Sequence, residues 1–429
     1  MTPAPKASAR KRTSPAPSEL RLAWSLAELP SSQHRAGLAG LVLMVRWLER
    51  QPRERPGRCE LTRVDARGCE LLLDLRGLEE LFDEVYGATL EEIAVETPYK
   101  KKGDIVPPLR TELRPADPNK PKSKAKELYV YPRVVPKGAF LLDLDPTREG
   151  PSGLWVKLWR DLVWSTLRGI PAQRAPFNAR ANGEPTSDAG DAWAALADPD
   201  NPGVELPSTY YIGAQQFTAE LVPFRDRART QFLLHFAPFA HQVYVPTVTD
   251  ADGQRSFIGY ALGIPDVADL ELFCELFEAT MRDRDPRAQG FHPGGAVVDL
   301  AVEGGLEFLG RLAARLAERE GERNLGDAVL GVDVVHLEKE GNSVRLRGSA
   351  RVDPEQPLVD AYRRVRDGYW DPQFRRTRLL NLVAGRPWYA GFDRLAGTLP
   401  ASRIFASKYF RRDAREAFET LEQGESSDE

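Results

Sequence analysis

Cysteine is scarce: Cys59, Cys69 and Cys274 are the three in 429 residues. So sparse a set excludes a disulfide framework and is expected of a chain that folds in a reducing, cytoplasmic compartment. Long apolar runs are lacking too. No stretch approaches the roughly 20 residues that cross a bilayer, so no membrane partner is expected. "MTPAPKASARKRTSPAPSE" has no apolar core of a secretory leader and reads as a basic, disordered tail. Familiar catalytic motifs are missing as well: there is no G-x-x-x-x-G-K-[ST], no G-x-S-x-G and no H-E-x-x-H. Nor are there the paired C-x-x-C or Cys/His clusters of a zinc site. Cys59 and Cys69, ten apart, are expected as buried thiols on facing strands. No cofactor, metal or catalytic residue is assigned.

What is present is a soluble composition, 42% hydrophobic and 28% charged, on a chain long enough for two or three domains. The formal net charge of −4 hides a segregated distribution. Glu96 to Phe140 carries eleven basic residues against five acidic ones, and Asp360 to Arg415 thirteen against five. Leu262 to Gly310 reverses the balance, with three basic and ten acidic. Basic blocks suit a polyanion-facing surface, and acidic ones a solvated or partner-facing surface. The alternative is that these are simply charged loops and helix faces.

The pattern predicts an α+β protein, with a multi-element N-terminal and central mixed α/β region and a helical C-terminal region. After the tail (1–19), an N-terminal α+β domain spans 20–170. Leu20, Leu22, Trp24 and Leu26 alternate with Arg21, Ala23 and Ser25, the period of a half-buried strand. A helix over Ser32–Arg50 follows, then a hairpin turning at Asp65–Gly68 and a short helix closing at Gly87. Within this domain, 96–137 is a lysine-rich excursion broken by eight prolines, expected as a ribbon with a mobile tip. "PSGLWVKLWRDLVWSTLRG" predicts a helix with an aromatic core stripe. Residues 171–207 read as a linker or loop. A central α+β domain, 208–353, has "TQFLLHF", "HQVYVPTVTD" and "RSFIGYALGI" as strands and Asp252-Gly253 as a turn. It continues with a helix capped by Asp266, a helix over Leu306–Glu320, and a hairpin turning at Gly341-Asn342. A helical basic region, 354–420, and an acidic tail, 421–429, complete the chain.

Four stretches carry the candidate contacts. Lys100, Lys101, Lys102, Lys122, Lys124 and Lys126 are candidate phosphate ligands. In "STYYIGAQQFTAELVPF", the amides Gln215 and Gln216 can read base edges and the aromatics can stack on unpaired bases, or the run is a turn between elements. "FRRTRLLNLVAGRPWYAGF" interleaves Arg375, Arg376 and Arg378 with Trp388 and Tyr389, as a backbone-contacting or a solvated helix. In "LPSSQHRAGLAGL", Gln33, His34 and Arg35 sit at a helix N-terminus, where phosphate is favoured. Gly37 and Gly40 each cost the helix about 0.5–1 kcal/mol relative to alanine. With Ala36 and Ala39 they make a smooth face, either for close packing within the fold or for contact with RNA or a neighbouring subunit. His235 and His241, flanking "FAPFA", are structural histidines or, in the alternative reading, the centre of a metal-dependent nucleic-acid enzyme.

That opening run, with "WSLAELP" at its start, resembles the large subunit of type I CRISPR surveillance complexes (Cascade) of the MYXAN subtype. "YYIGAQQFTAELVPF", "FLLHFAPF", "VYVPTV" and "GYALGIPDVADLELF" are similar to the same family, so the resemblance spans roughly residues 22–273. It implies a non-catalytic subunit beside the guide RNA that inspects duplex DNA for the protospacer-adjacent motif and assists strand opening. It also implies a docking surface for the helicase-nuclease and contacts with other Cascade subunits. A structural protein-interaction subunit is the remaining alternative.

Overall fold

The computed structural model describes residues 17–116, 125–136, 175–186, 188–200, 203–205, 225–250, 253–282, 297–319, 324–340 and 343–425. Most of the basic tail, Lys122 and Lys124, the tryptophan-rich stretch 151–169 expected as a helix, Gln215 and Gln216, the turn expected at Gly341-Asn342 and the last four acidic-tail residues lie outside them.

Strand β1 (Glu19–Ser25) alternates as its sequence requires, burying Leu22 and Trp24. Helix α1 (Ser32–Arg50) begins at Ser31, whose hydroxyl accepts from the His34 N–H. The hairpin of β2 (Cys59–Asp65) and β3 (Gly68–Asp74) turns where Asp65 accepts from the N–H groups of Arg67 and Gly68. β3 lies between β1 and β2. Cys59 and Cys69 are on paired strands, buried and unbonded, and burial pushes both thiols up to about 12. Helix α2 (Leu75–Val85) is capped by Asp74 on Gly77.

The lysine-rich excursion is a ribbon. β4 (Ala88–Val95) pairs with the long β8 (Lys126–Pro136), which pairs in turn with β7 (Arg110–Arg114). Between β4 and β7 lies a small hairpin, β5 (Lys100–Lys101) and β6 (Asp104–Ile105). Within 171–207, expected as a linker or loop, the structure forms α3 (Ala175–Ala181) and α4 (Asp188–Ala197), because Phe177, Trp193 and Leu196 give them buried anchors. β9 (Gly203–Glu205) pairs with β10 (Arg225–Arg227).

"TQFLLHF", expected as a strand, is helical instead. α5 (Ala228–Leu233) runs into two tight turns, so Phe232 and Phe236 both meet the Phe82 ring, with centroids 6.2 and 6.4 Å away. A strand would have pointed neighbours in this apolar run to opposite faces; the helix turns them toward one core. β11 (Gln242–Thr249), β12 (Arg255–Phe257) and β13 (Tyr260–Val267) follow. The single strand expected at "RSFIGYALGI" breaks at Gly259, where φ is +91° and a Cβ would stand 2.1 Å from the Leu337 carbonyl oxygen. Helix α6 (Leu270–Arg282) is capped by Asp269, which accepts from the Leu272 N–H at 2.9 Å, and not by Asp266. β14 (Val297–Val298), α7 (Glu303–Ala317), α8 (Leu325–Ala328) and the hairpin of β15 (Val329–Glu340) and β16 (Ser343–Val352) complete the central sheet, ordered β12-β11-β13-β15-β16 with β14 parallel to β11.

α9 (Gln356–Gly368), α10 (Pro372–Val383), α11 (Phe392–Thr398), α12 (Ala401–Ala406) and α13 (Lys408–Glu425) form the helical C-terminal region. The fold is mixed α/β with a helical end, as expected. Among the described residues no helix is long and apolar enough to cross a membrane.

The central sheet is covered on both sides. α1 lies over the face carrying Ile264 and Asp266, and α7 over the face carrying Gly263, so β13 is buried along nearly its whole length. α1 also meets α5, α6, α2 and β2. The small residues of "HRAGLAGL" make this possible. A Cβ on Gly37 would stand 2.4 Å from the Leu233 carbonyl oxygen, and one on Gly40 2.0 Å from that of Phe236. The obstruction is backbone, which has little room to yield. Gly40→Ala is therefore expected to lose about 1–3 kcal/mol despite its better helix propensity. Gly190→Ala, in α4 with nothing within 4 Å of the added methyl, should gain about 0.4–1 kcal/mol. Urea unfolding of the two variants measures both.

Candidate nucleic-acid interface

The β5–β6 hairpin turns through Lys102 and Gly103, at φ of 54° and +100°. Two successive residues in the left-handed region are the requirement of the tightest hairpins. The hairpin is held to the ribbon by Tyr99 and Tyr131, whose rings lie 4.4 Å apart. Tyr131 accepts from the Tyr99 N–H and donates to the Val106 carbonyl, while the Val106 N–H donates to the Tyr99 carbonyl. An anchored turn thus presents Lys100, Lys101 and Lys102, all exposed, and no carboxylate among the described residues forms an ion pair with any of them. Lys126 differs: both oxygens of Glu96 lie 2.8 Å from its Nζ. Arg110 is likewise held between Glu92 and Glu112. Among the described residues of the ribbon, the hairpin thus groups three lysines outside ion pairs.

The C-terminal arginines face inward. Both Nε and a terminal nitrogen of Arg375 lie 2.6 Å from Asp299 Oδ2, in a carboxylate that also accepts from Arg255. Arg376 donates to the carbonyls of Thr247 and Asp299. The Arg378 guanidinium lies 5.3 Å from the Tyr369 ring centre and 5.2 Å from that of Trp388. Arg375, paired with Asp299, and Arg376, bonded to two carbonyls, both hold α10 on the sheet. The acidic block that starts near Leu262 and the basic block after Asp360 meet each other here.

Glu303, Glu307, Tyr362 and Arg366 extend this network, and the sequence reading missed them. Glu303 Oε1 accepts from the N–H groups of Asp299 and Leu300, and Tyr362 donates to Glu307 at 2.6 Å. Arg366 pairs with Glu307. Glu303 and Glu307 are one helical turn apart on α7, as Tyr362 and Arg366 are on α9. That matched spacing was a usable signal, but a carboxylate pair on a helix reads by default as a solvated face. Burial is the main cause that pushes the Glu303 carboxyl up to about 7, and the Asp299 charge adds to it.

At the mouth of α1, Gln33 and His34 are buried, 3% and 2% exposed. His34 bridges Ser31 Oγ at 2.8 Å and Asp226 Oδ2 at 2.9 Å. Burial pushes the Asp226 carboxyl up, but hydrogen bonds from His34 and Thr230 hold it below its ordinary value. Arg35 donates to the Leu26 carbonyl and to Asp266, whose other oxygen accepts from Arg351. Gln33, Arg35, Asp266 and Arg351 line a cleft of about 600 Å³ in which Arg35 and Arg351 are offset by Asp266 and Asp333. The geometry favours internal packing over an open phosphate site at Gln33, His34 and Arg35.

His235 rests against the Phe82 ring at 4.8 Å, with Nδ1 3.4 Å from the Tyr86 hydroxyl. His241 is 1% exposed, and burial lowers it to about 3, so it is neutral. Among the described residues no three of His, Cys, Asp and Glu come together as a metal site. No carboxylate cluster accompanies these histidines there to favour the metal-dependent enzyme.

Two outcomes follow. His34→Ala leaves Asp226 Oδ2 without its imidazole partner and should destabilise the chain by about 1–3 kcal/mol, read by thermal or chemical unfolding. The folded-state value of Glu303 lies above the ordinary 4.5, so the folded protein binds this proton more tightly than the unfolded chain. The contribution of Glu303 to stability is full below about 4.5 and is lost as pH rises toward 7. Glu303→Gln keeps the acceptor oxygen and removes the proton. Its stability relative to the parent should therefore rise across that window, by on the order of 3 kcal/mol, measured as urea unfolding against pH.

Comparison with known families agrees with the resemblance to a large subunit of type I CRISPR complexes. The model of the type I-B CRISPR Cas8b N-terminal domain matches residues 58–322, and that of the type I-B CRISPR Cas8b C-terminal domain matches residues 329–429. No curated protein matches the chain. The junction of the two matched segments falls at α8, and the Asp299–Arg375 and Glu307–Arg366 pairs join one to the other. The chain belongs to the type I-B CRISPR Cas8b family, a large subunit of type I CRISPR complexes.

Proposed function

We propose that this chain is the non-catalytic subunit that recognises the protospacer-adjacent motif in duplex DNA, assists strand opening and recruits the helicase-nuclease. In this reading it works within an RNA-guided Cascade, with guide RNA and the other subunits as its partners. Family membership supports the setting, and the short runs quoted above support a MYXAN-type complex. The observation that carries the DNA-contacting role is the lysine hairpin: Lys100, Lys101 and Lys102 are exposed on an anchored turn, with no described carboxylate in ion-pair contact. Lysines so placed contact phosphates and set the position of a duplex without reading its sequence. Base reading then falls to other groups, and Gln215 and Gln216 remain the proposed ones. Lys126, Arg375 and Arg376 are engaged within the fold and are not retained as phosphate ligands.

The test is a complex assembled with guide RNA and the partner subunits, offered duplexes that differ only in the flanking motif. Binding should depend on the flank. Replacing Lys100, Lys101 and Lys102 together by alanine should weaken binding about tenfold for every flank alike and make the salt dependence shallower by about 2–3 in slope. Failure to assemble, or flank-independent binding, would refute the reading. Salt-independent binding would favour a subunit that contacts only proteins.

A further inference from the structure

Helix α13 is docked on one side and faces outward on the other. Its inner side buries Phe410, Asp413 and Ala417. The Phe410 ring meets that of Phe374 at 5.7 Å, and Asp413 accepts from the Trp370 and Asp371 N–H groups at 2.8 and 2.6 Å. These contacts fix which residues turn outward. Lys408, Arg411, Arg415 and Phe418 follow one another at spacings of three and four residues and are all exposed, Phe418 by 62%. That alternation keeps them on a single stripe, the spacing by which paired helices meet. Glu422 and Glu425 continue it to the end of the helix. No carboxylate among the described residues forms an ion pair with Lys408, Arg411 or Arg415.

The stripe is charged against its own helix. The first turn holds no acid and the last turn no base, whereas the helix dipole favours acids at the N-terminus and bases at the C-terminus. An antiparallel neighbour with the same order of charge relieves that conflict at both ends, since its C-terminus lies beside this N-terminus. Reversed, the stripe is its own complement: Lys408 comes opposite Glu425, Arg411 opposite Glu422, and Arg415 opposite Phe418. Two base–acid pairs and one guanidinium–ring pair result, and a two-fold axis repeats each of them.

We propose that α13 pairs antiparallel with α13 of a second copy of this chain through this stripe. The self-complementary order of charge commits the surface to that occupant. A nucleic-acid strand would meet the carboxylates of the C-terminal half as well as the cations. A helix of one charge sign would match one half of the stripe only. Exposed ion pairs are individually weak, so the association is reversible and salt-sensitive, with Phe418 supplying the apolar contact. The pairing is independent of the DNA-contacting role and uses none of the hairpin lysines.

Sedimentation velocity of the full chain over a concentration series, at low and high salt, tests the pairing. The parent should show a reversible monomer–dimer equilibrium that weakens as salt rises. Arg411→Glu sets acid against acid and Glu422→Arg base against base, so each variant alone should lose at least about tenfold in dimer affinity. Mixed together, the two should pair again, because each position 411 then faces an opposite charge at 422. Both exchanges in one chain should restore pairing too. Positions 411 and 422 lie about 16 Å apart along one helix, so the rescue has no route within a single chain. Melting temperatures check that each variant is folded. A parent that stays monomeric throughout would overturn the proposal, as would a dimer that neither variant alters, or two weakened variants that fail to rescue each other. If the parent is monomeric and Arg411→Glu instead prevents entry into a complex with guide RNA and the partner subunits, or weakens binding of a labelled duplex, the stripe serves that partner and the proposal falls.

Discussion

The close approach of α1 to the backbone at Leu233 and Phe236 is the constraint on which the rest of this structure depends. Two glycines bring the helix near enough that any Cβ would overlap a carbonyl oxygen. At that distance α1 can touch the central sheet, α5, α6, α2 and the first hairpin together. A helix held further off would leave Phe232, Phe236 and Phe82 without a common core. The unfavourable helix propensity of glycine is offset by burial that no larger residue would allow.

A second constraint sits on the other side of the sheet. Asp299, Glu303 and Glu307 are buried charges or potential charges, and removing one partner from such a group costs far more than the pair contributes. Arg375, Arg366 and Tyr362 meet them from the C-terminal helices. The network therefore fixes where the helical region docks, and it joins the two segments matched by the N- and C-terminal Cas8b domain models. The same pairing explains why the arginine-rich C-terminal block is less available to nucleic acid than its composition suggests. Arg366 and Arg375 of that block are already paired with Glu307 and Asp299 of the acidic one.

Among the described cations left outside ion pairs, two groups stand out. The lysine hairpin lies on a ribbon in which Lys126 and Arg110 are paired with glutamates. Lys408, Arg411 and Arg415 stand on the outer stripe of α13. The overall acidity of the chain is thus compatible with two compact positive sites, because electrostatic attraction at about 10 Å or less depends on local charge more than on the total.

Local order was readable from the residues alone. The alternation at Leu20–Leu26, the apolar stripe of α1, the turn at Asp65–Gly68 and the helical character of the last segment each follow from periodicity and turn chemistry within one element. The family resemblance was readable too, since it rests on short contiguous runs. Tertiary structure decided the partners. Whether "TQFLLHF" formed a strand or a helix depended on where Phe82 lay, 150 residues earlier in the chain. Whether Asp266 capped a helix depended on Arg35 and Arg351, and whether Arg375 met a phosphate or Asp299 depended on the docking of α10. A charged side chain's role is set by the nearest opposite charge and by its distance from water, and both are properties of the folded chain rather than of sequence neighbours.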